Sequence, residues 1–440
     1  MKRLQLFPIT AKIENDSLTI AGQDLAHLAR EYGTPLYLYD RATLDSAAAD
    51  YTSALASHYP STRSGRRPAP ASVTYAGKAF LNRAIAQWTQ LHSLCVDCSG
   101  EGETAIALAG GVPRERILVH GVNKSEADLK SALQNAGTLV VDNIFELTRI
   151  KKLITNYQSP PSIWLRLLPG LAVETHHAHT QTGQQDSKFG MTRAEILEAA
   201  EFCKIHGLPL TGIHFHQGSN FKDPSPLTKA IALGLDVARE IGFTAGWHFC
   251  PGGGWGVAYH EDELPQPDIN EYVCVIAESV IAGCQVRGLS LPHLHLEPGR
   301  SLVARAGVAV YRVGTVKRRV EKTWLLVDGG MTDNPRHALY GAGYSCLPVS
   351  GAGRAGCERV SIAGPYCESG DVVIEDLLLP EIEEGELIAI PVAGAYHLSM
   401  SSNYNGSRKP AVLWLEEGRP ARLIQRRETV QDLLRRDASL

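Results

Sequence analysis

The chain has 440 residues, and its 43 basic and 47 acidic side chains leave a formal net charge of -4. A charge this close to balance gives no overall field that would draw the chain to nucleic acid or to an anionic membrane. The length suits two or three domains of about 150 residues, or one α/β barrel of about 250 residues with a smaller second domain.

The amino-terminal residues 1–17 turn polar early and lack the apolar core of a secretory signal, and no stretch approaches the roughly 20 apolar residues of a membrane span. The nine cysteines are thinly spread, which favours reduced thiols over a disulfide framework. Cys95 and Cys98 form one CxxC with no second pair at ligand spacing, so buried thiols are favoured over a zinc or redox site. We predict a cytoplasmic protein without a metal site.

A helix is predicted over residues 42–58, followed by an exposed loop over 61–70 that is rich in Arg, Pro and Ser. From about residue 70 to 300, short apolar runs alternate with helical stretches such as 194–206 and 227–241, an order typical of a parallel sheet with crossover helices. The eight runs end at Ala76, Asp97, Gly121, Asp142, Pro169, His216, Cys250 and Pro298. Eight strands in one such series predict a closed (β/α)8 barrel, the TIM-barrel form of α/β structure.

After about residue 305 the pattern changes to short alternating runs broken by Gly and Pro, which predicts an antiparallel β domain built as a barrel or sandwich. The predicted domains are residues 36–305 for the barrel and 306–440 for the β domain. Residues 1–35 form an amino-terminal segment that we expect to join the β domain.

The chemically unusual residues fall where the predicted barrel strands end, which is where the active site of such a barrel lies. They are Lys78, His214, His216, Ser219, Gly252 to Gly254, and Glu297 to Arg300. Taken singly, these are typical of a surface lysine, core histidines and tight turns. Together they could bind a phosphorylated aldehyde cofactor, because they combine backbone N–H donors, a hydroxyl, a guanidinium and a lysine amine. His216 could stack on a pyridine ring, and the Glu297 carboxylate could keep the ring nitrogen protonated.

In this order and spacing, YAGKAF, HFHQGSN, the GGG turn and EPGR resemble the fold-type III pyridoxal-phosphate decarboxylases. That family joins an alanine racemase-like barrel to a β domain and includes diaminopimelate, ornithine and arginine decarboxylases. The resemblance implies that pyridoxal 5'-phosphate is joined to Lys78 as a Schiff base, that His216 stacks on its ring and that Glu297 pairs with the ring nitrogen. It also implies that the cofactor is surrounded by Ser219, Gly253, Gly254, Gly299, Arg300 and Tyr396.

Three carboxy-terminal segments, MTDNPRHALYGA, CESGD and GAYHLSMSSNYNG, are similar to the diaminopimelate decarboxylase branch. The similarity implies that the substrate is bound by Arg300, Arg336, Tyr340, Glu368 and Tyr396. Diaminopimelate carries a second amino acid centre, so a remote carboxylate needs an arginine such as Arg336, and a remote ammonium needs a carboxylate such as Glu368. By the same resemblance, Cys367 reaches the active site of a neighbouring subunit and takes part in protonation, which implies a homodimer with shared sites; the alternative is an inert buried thiol.

The segment HHAHTQTGQQDSKFGM also matches this branch at His177, Thr182 and Gly183, and at Lys188 to Gly190. His179 and Gly100 depart from the branch, which leaves substrate scope open. The expected reaction is decarboxylation of meso-2,6-diaminopimelate to L-lysine, the last step of lysine biosynthesis. Alternatives are a related decarboxylase acting on another amino acid or a carboxylated polyamine precursor, and a non-catalytic regulatory homologue. The last is disfavoured because Lys78 and Cys367 are both retained.

Overall fold

The computed structural model describes residues 2–59, 70–171, 182–351, 353–354 and 357–440. The chain divides into two compact units. The β unit comprises Met1–Ala47, Val257–Gln266 and Arg300–Leu440, and the barrel unit comprises Ala48–Gly256 and Pro267–Gly299. The predicted loop at 61–70, apart from Pro70, lies outside the described residues, as do His177 and His179.

The amino-terminal elements belong mainly to the β unit. They are β1 (Lys12–Glu14), β2 (Ser17–Ile20), β3 (Gln23–Asp24), α1 (Leu25–Tyr32), β4 (Leu36–Asp40) and α2 (Arg41–His58). The first three strands form an antiparallel sheet of their own. Helix α1 begins where the Asp24 carboxylate accepts a hydrogen bond from the His27 N–H at 2.7 Å.

The predicted domain boundary at residue 35 differs from the structure, in which the β unit extends to Ala47. All five residues of β4 are buried, and this continuous apolar run looks the same in sequence as a barrel strand. Its hydrogen-bonding partners are strands of the β unit.

The predicted closed barrel is confirmed, with all eight strands parallel. The strands are β5 (Ala71–Ala76), β6 (Cys95–Cys98), β7 (Ile117–Val119), β8 (Thr138–Val141), β9 (Ser162–Arg166), β10 (Leu210–His214), β11 (His248–Cys250) and β12 (His293–Leu296). Closure occurs between the last strand and the first, where Leu294 pairs with Ala71 and Leu296 with Val73. The loops that follow β12 and β5 are therefore neighbours, although they lie far apart in sequence.

Helices follow the strands around the barrel. They are α3 (Arg83–Leu91), α4 (Glu101–Ala109), α5 (Glu126–Asn135), α6 (Ile144–Ile154), α7 (Arg193–Ile205), α8 (Leu227–Ile241) and α9 (Ile269–Arg287). Local sequence fixes their starts, since Ser125 with Asp128 and Thr192 with Glu195 form capping boxes at α5 and α7.

Among the described residues, α9 is long and apolar enough to cross a membrane by length and composition alone, with a mean hydropathy of 1.2. It carries Glu271 and Glu278, so the apolar stretch is not continuous. Its Tyr272, Ile276 and Val280 side chains are fully buried, and the helix packs beside α8. These are the contacts of a barrel crossover helix.

The remaining elements complete the β unit. They are α10 (Arg300–Val303), β13 (Gly307–Arg318), β14 (Thr323–Val327), α11 (Arg336–Tyr340), β15 (Leu347–Pro348), β16 (Glu358–Ala363), β17 (Val372–Leu379), β18 (Leu387–Ile390), β19 (Ala411–Leu415), β20 (Arg422–Gln425) and α12 (Val430–Leu434). The prediction of a purely antiparallel sheet is wrong, because β4 runs parallel to β19 and β14 runs parallel to β16. Alternation in sequence predicts that a strand has one buried face, but it does not give the direction of the neighbouring strand.

One buried ion pair joins the turn after β7 to helix α6. The Lys124 ammonium contacts the Glu146 carboxylate at 2.7 Å and donates to the Gly121 and Val140 carbonyls at 2.8 Å each. The Lys124 side chain is fully buried and that of Glu146 is 3% exposed. All three hydrogen atoms of the ammonium therefore have acceptors, which compensates for its lost hydration.

We predict that Glu146→Gln lowers the free energy of unfolding of the barrel unit by about 3–5 kcal/mol, because it leaves a buried ammonium without its counter-ion. Urea denaturation measures this loss. Glu126→Gln is the matched control, since Glu126 forms an i,i+4 pair with Lys130 on the exposed face of α5 and should change stability little. Equal losses in the two variants would contradict the prediction.

Candidate active site

Lys78 lies in the turn that follows β5, as the sequence predicts. Its Nζ is 3.4 Å from Oδ2 of Asp97, and its side chain is 46% exposed while that of Asp97 is 2% exposed. The turn is held against the end of β12, because the Ala76 N–H donates to the Pro298 carbonyl at 3.0 Å. A Cβ on Gly299 would lie 3.0 Å from that of Ala76, so Gly299 allows this close approach. Barrel closure thus brings Lys78 and the Glu297 loop to the same end of the barrel.

Glu297 is a buried carboxylate held by two histidines. Nε2 of His214 is 2.9 Å from Glu297 Oε2, and Nε2 of His120 is 3.2 Å from Oε1. Burial would raise the pKa of Glu297, but His214 and His120 outweigh it and hold that pKa well below the ordinary value. Strand β12 therefore ends in an ionised carboxylate.

The contacts of His214 indicate which of its nitrogens carries the proton. Burial lowers the pKa of His214 to about 4, so the ring is neutral near pH 7. Nδ1 of His214 has no hydrogen-bond partner among the described residues, whereas Nε2 faces the carboxylate. A buried N–H without an acceptor is costly, so we assign the proton to Nε2, which donates to Glu297. His214 stands out in sequence only as a histidine at a strand end, and no motif marks His120.

His216 lies beyond the end of β10 with its ring orientation fixed by a backbone contact. Its Nδ1 accepts a hydrogen bond from the Gly253 N–H at 3.3 Å. Burial, and then the positive charges of Lys78 and Arg166, lower its pKa well below the ordinary value. The ring is therefore neutral and close enough to Lys78 and Arg166 to feel both charges, as suits a ring that stacks on a cofactor.

The glycine turn after β11 packs between the ends of β10 and β12. A Cβ on Gly253 would come within 1.8 Å of the Glu297 carbonyl oxygen. Gly254 has φ +104°, and a Cβ there would lie 2.1 Å from the Gly218 carbonyl oxygen. The Asn220 N–H donates to the Gly254 carbonyl at 2.8 Å, which places the neighbouring Ser219 beside the turn. These contacts require glycine at both positions.

The described part of the predicted TG and KFG segment lies against the ends of β8, β9 and β10. The Thr182 hydroxyl donates to the His216 carbonyl at 2.8 Å, and the Gly190 N–H donates to Asp142 Oδ1 at 3.0 Å. The Phe189 ring centroid is 4.6 Å from Cζ of Arg166, a buried arginine that the sequence analysis did not single out. The position of Arg166 at the end of β9 is the signal that could have identified it.

A second cluster of predicted residues lies within the β unit, around Tyr259. The Arg300 guanidinium donates to the Tyr259 hydroxyl at 2.5 Å, and Cζ of Arg336 lies 4.5 Å from the same ring. Tyr396 also faces Arg300, with 4.7 Å between its ring centroid and Cζ, and it adopts φ +61°. A non-glycine residue in this region is strained and is often functional. Three residues predicted from separate motifs thus share one site, and Tyr259 was not predicted.

Arg336 also begins a buried polar network that sequence reasoning did not find. Arg336 donates to the Tyr344 hydroxyl at 2.5 Å. That hydroxyl lies 2.8 Å from Nε2 of His397. Nδ1 of His397 is 3.2 Å from the Tyr37 hydroxyl, which donates to Asp333 Oδ2 at 3.0 Å. The network joins the segment 333–344 to Tyr37 and His397, which lie far from it in sequence, so no local pattern could reveal it.

The remaining predicted residues, two for the substrate and one catalytic cysteine, lie at the surface of the β unit. Tyr340 is half-buried at the end of α11, while Cys367 and Glu368 are exposed in the loop before β17. That loop is tied to the Arg336 segment by Asp371, which accepts from the Met331 N–H at 2.7 Å and the Tyr366 N–H at 2.9 Å. Within one chain, the described residues therefore do not bury Cys367.

Residues 58–304 match the family model of the pyridoxal-dependent decarboxylase, pyridoxal binding domain. Diaminopimelate decarboxylase of Bacillus subtilis is 38% identical over 96% of both chains, and that of Mycobacterium tuberculosis is 35% identical over 97% of this chain and 96% of the relative. The solved diaminopimelate decarboxylase of M. jannaschii in complex with L-lysine matches with a TM-score of 0.90 and 29% identity, covering 98% of each chain. The solved Helicobacter pylori diaminopimelate decarboxylase complexed with L-lysine matches with a TM-score of 0.83 and 31% identity, covering 94% of this chain and 98% of that chain.

Burial raises the pKa of Asp333 to about 6, which predicts a pH-dependent contribution to stability. Between about pH 4 and 6 the folded chain binds this proton more tightly than the unfolded chain, so stability present at pH 4 is lost as the pH rises to 6. We expect Asp333→Asn to make this fall shallower, as measured by thermal midpoints across that pH range. Asp262→Asn is the control, because the Asp262 side chain is 80% exposed and its removal should leave the slope unchanged. An unchanged slope in Asp333→Asn would contradict the prediction.

Proposed function

The chain belongs to the diaminopimelate decarboxylase family of pyridoxal-dependent decarboxylases, and we propose on this basis that it removes CO2 from the D-configured centre of meso-2,6-diaminopimelate and releases L-lysine. The observation that carries this proposal is similarity to diaminopimelate decarboxylases along nearly the full length, 38% over 96% of both chains. The function predicted from sequence motifs agrees with these relatives.

The barrel residues fit pyridoxal 5'-phosphate. Among the described residues, Oε1 of Glu297 is buried and has only the 3.2 Å ion-pair contact with Nε2 of His120, which leaves it a lone pair that could accept from a ring nitrogen that carries a proton. When bound, the cofactor supplies an aldehyde that captures amines and a protonated ring that accepts the electrons of the breaking C–C bond. We propose that it is held by Lys78, His216, Ser219, Gly253, Gly254, Glu297, Gly299, Arg300 and Tyr396. Glu297 keeps a proton at the ring nitrogen, and His214 and His120 keep Glu297 ionised.

Arg336 supports the choice of a substrate with a second carboxylate. It is 3% exposed, and no carboxylate of the described residues forms an ion pair with it. Burial would lower its pKa, but the oxygens of Tyr259 and Tyr344 raise that pKa and keep the guanidinium charged. A buried cation that has only neutral partners favours an incoming anion. We assign it to the remote substrate carboxylate, with Arg300, Tyr340, Glu368 and Tyr396 as further proposed substrate residues.

We predict that Lys78→Ala abolishes the visible absorbance band that pyridoxal phosphate gives in the purified protein, because no amine remains to hold it covalently. Glu297→Gln is the matched variant, and it should retain the band because Lys78 is intact. It should lower kcat at least about tenfold, which is about 1.4 kcal/mol of activation free energy, because the ring nitrogen loses its anionic partner. Survival of the band in Lys78→Ala would show that the anchor lies elsewhere.

A substrate panel tests the assignment. CO2 release should be faster from meso-diaminopimelate than from lysine, ornithine, arginine or a carboxylated polyamine precursor. Arg336→Leu should lower kcat/KM for diaminopimelate about 30-fold or more, since losing a buried charge partner costs about 2 kcal/mol or more. Arg419→Leu, at a side chain 71% exposed in the same unit, is the control. Preference for another member of the panel would remove the assignment.

We further propose a cytoplasmic homodimer in which Cys367 of one chain serves the active site of the other. Exposure of Cys367 in the single chain supports this arrangement, because a catalytic thiol that works across an interface must be accessible before assembly. All nine cysteines are free thiols, which suits a reducing compartment.

Mixing Lys78→Ala and Cys367→Ala protomers tests shared sites. Each parent dimer should be inactive or nearly so, whereas a mixed dimer regains one intact site. Random exchange of protomers makes about half of the dimers mixed, and each mixed dimer has one working site of two. About a quarter of wild-type activity is therefore expected. Verified mixed dimers that show no recovery would exclude this arrangement.

A further inference from the structure

Three histidines gather inside the barrel at the amino ends of its last two strands, opposite the end that carries Lys78. His248 and His293 are the first residues of β11 and β12 and are paired in register. His295 follows His293 by two positions and so points to the same face of the sheet. One nitrogen from each ring lies within 4.8 Å of the other two. We call His248, His293 and His295 the base histidines.

The contacts of the base histidines leave ligand capacity unused. His248 Nδ1 lies 3.0 Å from His295 Nε2, and the Ser72 hydroxyl lies 2.7 Å from His293 Nε2. His295 is 5% exposed, and its Nδ1 has no hydrogen-bond partner among the described residues. No carboxylate in the described part of the chain forms an ion pair with any of the three rings. The cluster therefore differs from His120 and His214, which are both committed to Glu297.

The rings are in the protonation state that metal binding requires. Burial lowers the pKa of His248, lowers that of His293 to about 4, and lowers that of His295 well below the ordinary value. Repulsion among the three rings adds to the effect at His293 and His295. A neutral imidazole keeps one lone pair and needs only a change of tautomer, not the loss of a proton, to present it to a metal, and such rings are common ligands of late first-row transition metals.

The distances suit one small ion after modest adjustment. Zinc binds histidine nitrogen at about 2.0–2.1 Å, so two nitrogens in a tetrahedral site lie about 3.3 Å apart. The pair at 3.0 Å, His248 Nδ1 and His295 Nε2, must open slightly, and the other separations, all within 4.8 Å, close to the tetrahedral spacing by turning the rings. The rings of His293 and His295 are stacked at 4.2 Å between centroids and would have to leave that stack. His248 and His293 are both partly exposed, which gives an ion a route from solvent.

We propose that His248, His293 and His295 bind one transition-metal ion of the zinc and cobalt class, with solvent completing the coordination. The ion would join β11 to β12 at the amino-terminal end of the barrel. The site is structural and separate from decarboxylation, because Glu297 and Lys78 lie at the opposite end of these strands.

The experiment uses the cofactor-loaded enzyme after chelator treatment and removal of free cofactor. Titration with Co²⁺ should give one equivalent of a visible band typical of nitrogen ligation, and Zn²⁺ should bleach it and raise the thermal midpoint. His293→Gln, at a partly exposed ring, should weaken Co²⁺ binding at least tenfold while leaving decarboxylation unchanged. His206→Gln, at an exposed histidine after α7, should bind as the wild type does.

Three results would overturn the proposal. These are the absence of Co²⁺ uptake by the wild-type enzyme, equal affinity in wild type and His293→Gln, and a thiolate charge-transfer band that assigns the ion to cysteine. Equal loss of binding in His120→Gln would place the ion at the Glu297 group instead. All four outcomes are independent of the substrate panel, because metal content is measured without substrate.

Discussion

The pairing of β12 with β5 is the constraint on which the candidate active site depends. It joins the last barrel strand to the first, with Leu294 opposite Ala71 and Leu296 opposite Val73. The loops that carry Lys78 and Glu297, more than two hundred residues apart in sequence, thereby become neighbours. An open sheet built from the same strands would leave these two groups at opposite edges, and no cofactor could reach both.

Both units bury charged side chains. A charged group removed from water must find opposite charge or well-placed hydrogen bonds. Lys124 meets this need with three acceptors, and Glu297 meets it with two imidazoles. Among the residues that the structure describes, Arg336 has only neutral partners, so its remaining capacity is available to an anion. Charges that the fold fully compensates stabilise the structure, and one that it compensates only in part indicates where a ligand binds.

Sequence reasoning succeeded for features that depend on local patterns. The eight barrel strands lie where apolar runs predicted them, and α8 spans the predicted residues because its apolar face repeats at helical spacing. It was less successful in predicting the direction of neighbouring strands and which strands pair with each other. The β domain is a mixed sheet, and it includes β4. The partner strand β13 lies some 270 residues later in the chain, so the sequence of β4 alone does not show which sheet it joins.

The sequence by itself determined the barrel, the order of its strands and the residue types needed for a pyridoxal-phosphate decarboxylase, because periodicity and short motifs are written in consecutive residues. It also determined which side chains follow each strand, and strand ends converge in any such barrel. Only the tertiary structure decided that His120 and His214 hold Glu297, that Tyr259 faces two arginines and that three histidines meet at the barrel's base. Such contacts join side chains from distant segments, and their distances follow from strand register and packing, which no single stretch of sequence encodes.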